Sequence, residues 1–125
     1  MKILVIDDSL LDRKLLIRTL KKAEINNEIL QAENGEEGLE VLAQHYMDMC
    51  VILLDWQMPK MSGIEFMEGV TKVPAVASIP IIMVTASSAE ENKQQAYRVN
   101  PKLAGYIVKP FKPEDLISAV KSYIK

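Results

Sequence analysis

The sequence has little cysteine and no long hydrophobic run. Cys50 is the only cysteine among 125 residues, so the chain cannot form an internal disulfide and suits a reducing compartment such as the cytoplasm. No apolar segment approaches the roughly 20 residues that a membrane-spanning helix needs. The first apolar segment meets the acids Asp7 and Asp8 before a signal-peptide core could form. We therefore predict a cytoplasmic protein that does not enter a membrane.

The sequence also lacks an excess of positive charge. Its 15 Lys and Arg residues face 17 Asp and Glu residues, which gives a formal net charge of -2. A chain with this balance has no broad basic surface to attract a nucleic-acid backbone or an anionic membrane, and we expect neither as a partner. Linkers, repeats and low-complexity segments are absent as well, so residues 1–125 are predicted to form one domain.

The sequence does contain a regular alternation of short apolar segments with longer amphipathic ones. This alternation is typical of βαβ units in a parallel sheet. The predicted strands are residues 3–6, 28–32, 51–54, 81–84 and 106–108. The first, third and fourth are continuously apolar, as expected of central strands that helices cover on both faces. The predicted fold is therefore α/β, a doubly wound sheet of five parallel strands with helices on both faces.

Polar residues mark the predicted helix starts. Helices are predicted to begin after Ser9, Asn34, Ser62, Ser88 and Lys112. Ser62 and Ser88 are each followed three residues later by glutamate, which is the spacing of a capping box. On the first helix we expect an apolar stripe made of Leu11, Leu15, Ile17 and Leu20. Its basic residues, Arg13 among them, are predicted to form a solvated face, with a docking surface for an acidic partner as the alternative.

Polar residues also end four of the predicted strands, in "ILVIDD", "VILLDW", "IIMVTA" and "GYIVKP". Each of them alone could simply form a turn or start a helix. In an open parallel sheet, however, all carboxyl ends lie at one edge, and ligands bind in the crevice there. We therefore predict that one cleft gathers Asp7, Asp8, Asp55, Thr85 and Lys109.

These residue types indicate a metal and a phosphoryl group. Three acids at one edge repel each other unless a cation lies between them, and oxygen ligands on a rim open to water suit Mg²⁺. Lys109 supplies a compact positive charge and Thr85 a hydroxyl donor for an incoming anion. Asp55, alone at the end of its strand, can act as the nucleophile, since carboxylates form aspartyl-phosphates.

The acidic pair at residues 7–8, "LLDWQMPKMSG" at 53–63, "PIIMVTA" at 80–86 and "GYIVKPF" at 105–111 stand in the order of a known family. The chain resembles, over essentially its whole length, the receiver domain of bacterial two-component response regulators. The resemblance implies a flavodoxin-like sheet of strand order 2-1-3-4-5. It also implies that a histidine kinase phosphorylates Asp55.

The resemblance further assigns roles within the cleft. Asp8 and Asp55 are expected to bind Mg²⁺ directly together with the backbone carbonyl of Gln57, and Asp7 through water. Thr85 and Lys109 are expected to contact the phosphoryl group.

The resemblance also implies how the signal leaves the cleft. The Lys109-Pro110 peptide bond is expected to be cis, and Tyr106 is expected to change rotamer on activation together with Thr85. The fourth predicted helix (residues 89–99), the strand at Tyr106 and the helix after Lys112 are expected to form the docking face. We expect a monomeric switch whose target is a flagellar-motor switch in chemotaxis or a relay protein, with at most slow autodephosphorylation.

Other readings of the sequence stay open at this point. The chain could be a receiver excised from a larger regulator or an intermediate of a phosphorelay. A phosphohydrolase resembling the haloacid dehalogenases would need a D-x-D pattern after the first strand and a cap, whereas the acids here are adjacent. Flavodoxin-like electron transfer would need a hydroxyl-rich phosphate loop where this chain has two acids.

Overall fold

A computed structural model of the chain describes residues 1–124. It contains one sheet of five parallel strands, β1 (Lys2–Ile6), β2 (Glu28–Ala32), β3 (Met49–Leu54), β4 (Ile81–Thr85) and β5 (Gly105–Val108). The strand order is β2-β1-β3-β4-β5, which confirms the predicted fold class and the order that the resemblance implied. The strands begin and end within two residues of the predicted limits.

Helices connect the strands and cover both faces of the sheet. They are α1 (Leu10–Lys22), α2 (Gly35–His45), α3 (Gly63–Thr71), α4 (Pro74–Ala77), α5 (Glu90–Val99) and α6 (Pro113–Lys121), and a 3-10 turn at Tyr46–Asp48 follows α2. The single-turn helix α4 and the 3-10 turn were not predicted, since neither is long enough to show a periodic pattern. No helix within residues 1–124 combines the length and apolar character needed to cross a bilayer.

The core consists of two hydrophobic clusters, one on each face of the sheet. Strand β3 contributes to both, because all six of its residues are buried and those from Val51 to Leu54 alternate between the faces. Helices α2, α3 and α5 cover one face, and α1 and α6 cover the other. Strands β1, β3 and β4 are buried almost throughout, so the prediction that they are central is confirmed.

Three of the predicted helix caps are present. The side chains of Ser9, Asn34 and Ser62 each accept a hydrogen bond from a backbone N–H of the first helical turn, and Ser62 forms the complete capping box. The prediction for Ser88 is wrong, because α5 starts one residue later, with Ala89 as an N-cap that makes no side-chain hydrogen bond. Ser88 is exposed, and other residues fix this loop.

The predicted apolar stripe of α1 is also wrong in part. Leu11 and Leu15 are 79% and 51% exposed, while the buried face of the helix carries Leu16, Leu20 and the unexpected Arg13. Leucines at 11 and 15 have helical spacing as good as those at 16 and 20, so the pattern alone could not choose between the two faces. In the observed rotation of α1 about its axis, Arg13 lies beneath the helix and donates hydrogen bonds to Gln31 and to the carbonyl of Asp7.

Candidate functional site

Four strand ends form the site. Because β1, β3, β4 and β5 run parallel, the residues at their carboxyl ends reach the same edge of the sheet. A cavity of about 650 Å³ opens there. Its lining includes Asp8, Asp55, Gln57, Met58, Thr85, Ala86 and Ser87. Lys109 lies next to this lining, with its Nζ 3.7 Å from Asp55 Oδ2 and 2.6 Å from Asp7 Oδ2. The structure therefore brings the predicted cleft residues together.

The three acids at this edge are close to one another and differ in exposure. One carboxylate oxygen from each of Asp7, Asp8 and Asp55 lies within 4.8 Å of the others. Asp7 is buried, Asp55 is intermediate and Asp8 is exposed. An all-oxygen set that is open to water on one side fits a hard divalent cation that retains several waters.

The ammonium group of Lys109 is the positive counterpart of these acids. Its Nζ donates to Asp7 Oδ2 at 2.6 Å and to Asp12 Oδ2 at 2.9 Å, and it lies 3.7 Å from Asp55 Oδ2. Burial alone would lower the pKa of Lys109, but the hydrogen bonds to Asp7 and Asp12 and the charge of Asp55 outweigh it and raise the pKa above its ordinary value. Lys109 therefore stays cationic across the physiological range.

One of the two carboxylate oxygens of Asp55 accepts a hydrogen bond from the backbone. Oδ1 accepts a hydrogen bond of 2.7 Å from the backbone N–H of Trp56, and Oδ2 is the oxygen nearest to Lys109. Burial raises the pKa of Asp55 above its ordinary value, the charge of Lys109 opposes this rise, and Asp7 adds to it. An incoming group at Asp55 therefore meets Oδ2, which is already close to a positive charge.

The loop after Asp55 is held close to α3. Gly63, the first residue of that helix, donates its N–H to the carbonyl of Trp56 at 2.8 Å. A Cβ at position 63 would overlap the carbonyl oxygen of Asp55, so glycine permits this close approach. The contact fixes the carboxyl end of β3 against the start of α3.

Two residues of this region were not predicted as part of the site. Arg13 is 5% exposed, and its Nη1 donates to the carbonyl of Asp7 at 2.6 Å while its Nε donates to Gln31 Oε1 at 3.0 Å. The sequence placed it on a solvated face, which is wrong. Asp12, in the first turn of α1, reaches Lys109 and was assigned no role. No local pattern marked this role, because Asp8 precedes the N-cap Ser9 and the partner Lys109 is 97 positions away in the chain.

A hydrogen-bond chain leads from the cleft to α5. Thr85 is 2% exposed, and its hydroxyl accepts from the N–H of Ser87 at 3.3 Å. The carbonyl of Ser87 accepts from the hydroxyl of Tyr106 at 2.9 Å, and its side chain accepts from Asn92 Nδ2 at 2.6 Å. Ser87 thus connects a strand end, the half-buried ring of Tyr106 and helix α5. The neighbouring peptide bond between Lys109 and Pro110 is cis.

Residues 3–121 match the family model described as the response regulator receiver domain. The fold and the acidic cleft agree with this match, and the chain belongs to that family of regulatory domains.

Within the family the chain is of the CheY type, and two relatives and one solved structure show the range of similarity. A chemotaxis protein CheY homolog of Campylobacter jejuni is 35% identical over 116 residues, which cover 93% of this chain and 86% of that protein. The phosphate regulon transcriptional regulatory protein PhoB of Pseudomonas aeruginosa is 36% identical over 123 residues. These are 98% of this chain but 51% of PhoB, so the chain spans about half of that relative. The crystal structure of a CheX-CheY-BeF3-Mg²⁺ complex from Borrelia burgdorferi matches with a TM-score of 0.86 and 25% identity, over 98% of this chain and 87% of that one.

Proposed function

We propose that the chain is a phosphorylation-activated signalling switch whose phosphoryl acceptor is Asp55. The observation that carries this proposal is the position of Asp55, which lines the cavity and whose Oδ2 lies 3.7 Å from the ammonium nitrogen of Lys109. In the proposed reaction this oxygen attacks the phosphorus of a phosphohistidine on a histidine kinase. The new P–O bond forms as the P–N bond breaks, and the imidazole leaves with the electron pair.

Lys109 and Thr85 have complementary parts in this step. The ammonium of Lys109 neutralises charge on the phosphoryl oxygens beside Asp55. The hydroxyl oxygen of Thr85 already accepts from Ser87, so its proton is available to be donated to another phosphoryl oxygen. Trp56 holds the second oxygen of Asp55 and keeps the carboxylate in one orientation.

Asp8 and Asp55 are proposed to ligate Mg²⁺ together with the backbone carbonyl of Gln57, and Asp7 through water. The cluster of carboxylate oxygens within 4.8 Å supports this assignment, as does the Mg²⁺ in the Borrelia CheY complex. When bound, the ion supplies positive charge that offsets the charge on the phosphoryl oxygens. The buried Asp7 accepts hydrogen bonds from the N–H of Ser9 and from Lys109, while the exposed Asp8 lines the cavity.

Thr85 and Tyr106 are proposed to carry the signal out of the cleft. A Thr85 hydroxyl drawn toward the phosphoryl group gives up its bond from Ser87, and the carbonyl of Ser87 is the acceptor for Tyr106. The loop, the ring and α5 then rearrange together. The docking face formed by α5, β5 and α6 changes affinity for its partner, and the partner in turn changes affinity for the phosphorylated form.

The partners are proposed to be a histidine kinase and a downstream protein, either a motor switch in chemotaxis or a member of a relay. Similarity to CheY proteins supports the first, and similarity to half of PhoB supports an alternative in which residues 1–125 are the receiver of a larger regulator. We propose a cytoplasmic monomer that hydrolyses its own aspartyl-phosphate slowly and turns over no other substrate. The adjacent acids at 7–8, in place of D-x-D, support this over a phosphohydrolase.

The direct test is intact-mass measurement after incubation with acetyl phosphate and Mg²⁺. The parent should gain one phosphoryl group, and Asp55→Asn should gain none because an amide cannot accept it. Asp48→Asn is the matched control, since Asp48 precedes β3 at the opposite end of the sheet and its exposed side chain pairs with Lys2. One phosphoryl group per chain on Asp55→Asn would contradict the assignment.

The coupling is tested separately by NMR with beryllofluoride, a phosphoryl mimic. The parent should show shifts at Tyr106 and along α5, and Thr85→Ala should show them strongly reduced. Shifts confined to the neighbours of Asp55 in the parent would mean that the chain takes up a phosphoryl group without changing the docking face.

A further inference from the structure

The ammonium of Lys109 is shared between two acids, and neither of them is the acceptor. An ammonium has three N–H donors. Two are satisfied by Asp7 at 2.6 Å and Asp12 at 2.9 Å, whereas Asp55 lies at 3.7 Å, beyond hydrogen-bonding distance. In this structure Asp12 therefore holds Lys109 more closely than the acceptor does.

The surroundings of Lys109 show the same displacement toward α1. Lys109 lines a second cavity of about 400 Å³, which it shares with Asp12, Leu15 and Phe111, and it is not among the residues that line the cavity of Asp55. Among residues 1–124, Asp12 is the only acid in the lining of this second cavity. The N-cap bond from its own N–H to Ser9 Oγ fixes its backbone in the first turn of α1. Asp12 lines this second cavity and is not among the residues that line the cavity of Asp55.

We propose that Asp12 is a positioning residue that competes with the phosphoryl group for Lys109; this inference rests on the proposed function. In the free protein Asp12 draws the ammonium toward α1. When Asp55 carries a phosphoryl group, the bond of Lys109 to Asp12 is exchanged for a bond to a phosphoryl oxygen, and the bond to Asp7 is kept.

The exposure of the two acids decides which bond is given up. The side chain of Asp7 is 1% exposed, so losing Lys109 would leave a buried carboxylate without its cation. The side chain of Asp12 is 42% exposed, so water can take the place of Lys109. Asp12 therefore opposes phosphorylation of Asp55 by a modest amount, and its bond to Lys109 breaks when Asp55 carries a phosphoryl group.

The test is a titration with beryllofluoride in the presence of Mg²⁺, followed by the fluorescence of Trp56, the only tryptophan of the chain. Asp12→Asn keeps the shape of the side chain and removes its charge. We expect its half-saturating concentration to fall about three- to fivefold, in line with the strength of a partly exposed ion pair. Asp12→Glu restores a carboxylate and should bind nearly as the parent does. Asp48→Asn makes the same charge change far from the cleft and should bind within about twofold of the parent.

A second readout separates positioning from a merely structural role. Because the competition is between charges, the difference between Asp12→Asn and the parent should shrink as the salt concentration rises, while a packing defect would not respond to salt. Unchanged or weaker binding by Asp12→Asn, with the parent binding normally, overturns the inference and leaves the proposed function intact. Absence of beryllofluoride binding by the parent, together with no uptake of a phosphoryl group from acetyl phosphate, overturns the proposed function and this inference with it.

Discussion

Gly63→Ala should damage both the stability of the fold and the proposed acceptor site. The added Cβ would overlap the carbonyl oxygen of Asp55 and lie 3.1 Å from its carbonyl carbon and from the Cα of Trp56. All three are backbone atoms that cannot rotate away, so either the end of β3 or the start of α3 must move. Overpacking of this kind typically costs about 1–3 kcal/mol, and we expect a loss in the upper half of that range.

Gly69→Ala is the matched control within the same helix. A Cβ at Gly69 meets nothing within 4 Å, and the residue is exposed. Alanine in a helix is favoured over glycine by about 0.5–1 kcal/mol, so this variant should be more stable than the parent. The same chemical change is therefore expected to have opposite signs at two positions six residues apart.

Urea unfolding in EDTA measures both effects, because the midpoint changes while the slope with denaturant should not. The carboxylate of Asp55 is oriented by the N–H of Trp56, and both backbone groups lie under the clash. We therefore also expect Gly63→Ala to bind beryllofluoride at least about tenfold more weakly, since small misplacements of reacting groups are costly. A Gly63→Ala protein with parental stability and parental affinity would refute the argument from close approach.

Three further predictions concern other contacts. Arg13→Met should lower the free energy of unfolding by about 1–3 kcal/mol in urea titrations, because it removes the hydrogen bond to the buried carbonyl of Asp7. Arg18→Met, on the exposed side of the same helix, is the control and should change the free energy of unfolding by about 0.5 kcal/mol or less. In EDTA, the raised pKa of Asp55 should contribute to the free energy of unfolding in full below pH 3.8, its ordinary pKa, and this contribution should be lost as pH rises through the raised pKa. Asp55→Asn should remove this part of the pH dependence of stability. Identical pH profiles for the parent and Asp55→Asn would contradict the prediction. Tyr106→Phe should cost about 0.5–1.5 kcal/mol and shift the amide signals around Ser87 in NMR spectra, and unmoved signals would show that the hydroxyl bond is not formed in solution.

The sequence was sufficient to predict those parts of the fold that depend on repeated local patterns. The continuously apolar segment at residues 51–54 predicted that β3 is central, and the caps at Asn34 and Ser62 follow from residue type and spacing. The gathering of Asp55 and Lys109 needed only the geometry of a parallel sheet, because every strand end lies at the same edge. The particular strand order came from the resemblance to a family and not from periodicity.

The sequence could not predict features that depend on how a helix is rotated about its axis. Leu11 and Leu16 are equally apolar, but only Leu16 is buried. The same rotation of α1 buries Arg13, which donates a hydrogen bond to the carbonyl of Asp7. The contact between Asp12 and Lys109 depends on the same rotation, together with the path of the chain after β5. Such contacts join residues about a hundred positions apart and leave no local pattern.

The uneven burial of the strands has a consequence for local opening of the structure. Asp55 follows β3, whose residues are all buried, while Tyr106 lies on the edge strand β5, whose residues are intermediate or exposed. Amide hydrogens in β3 should therefore exchange with solvent only through near-global unfolding, while those of β5 and the start of α5 should exchange through smaller fluctuations. The proposed acceptor would then belong to the slowest-opening part of the domain and the proposed docking face to a faster one. A partner could therefore reshape that face without unfolding the surroundings of Asp55.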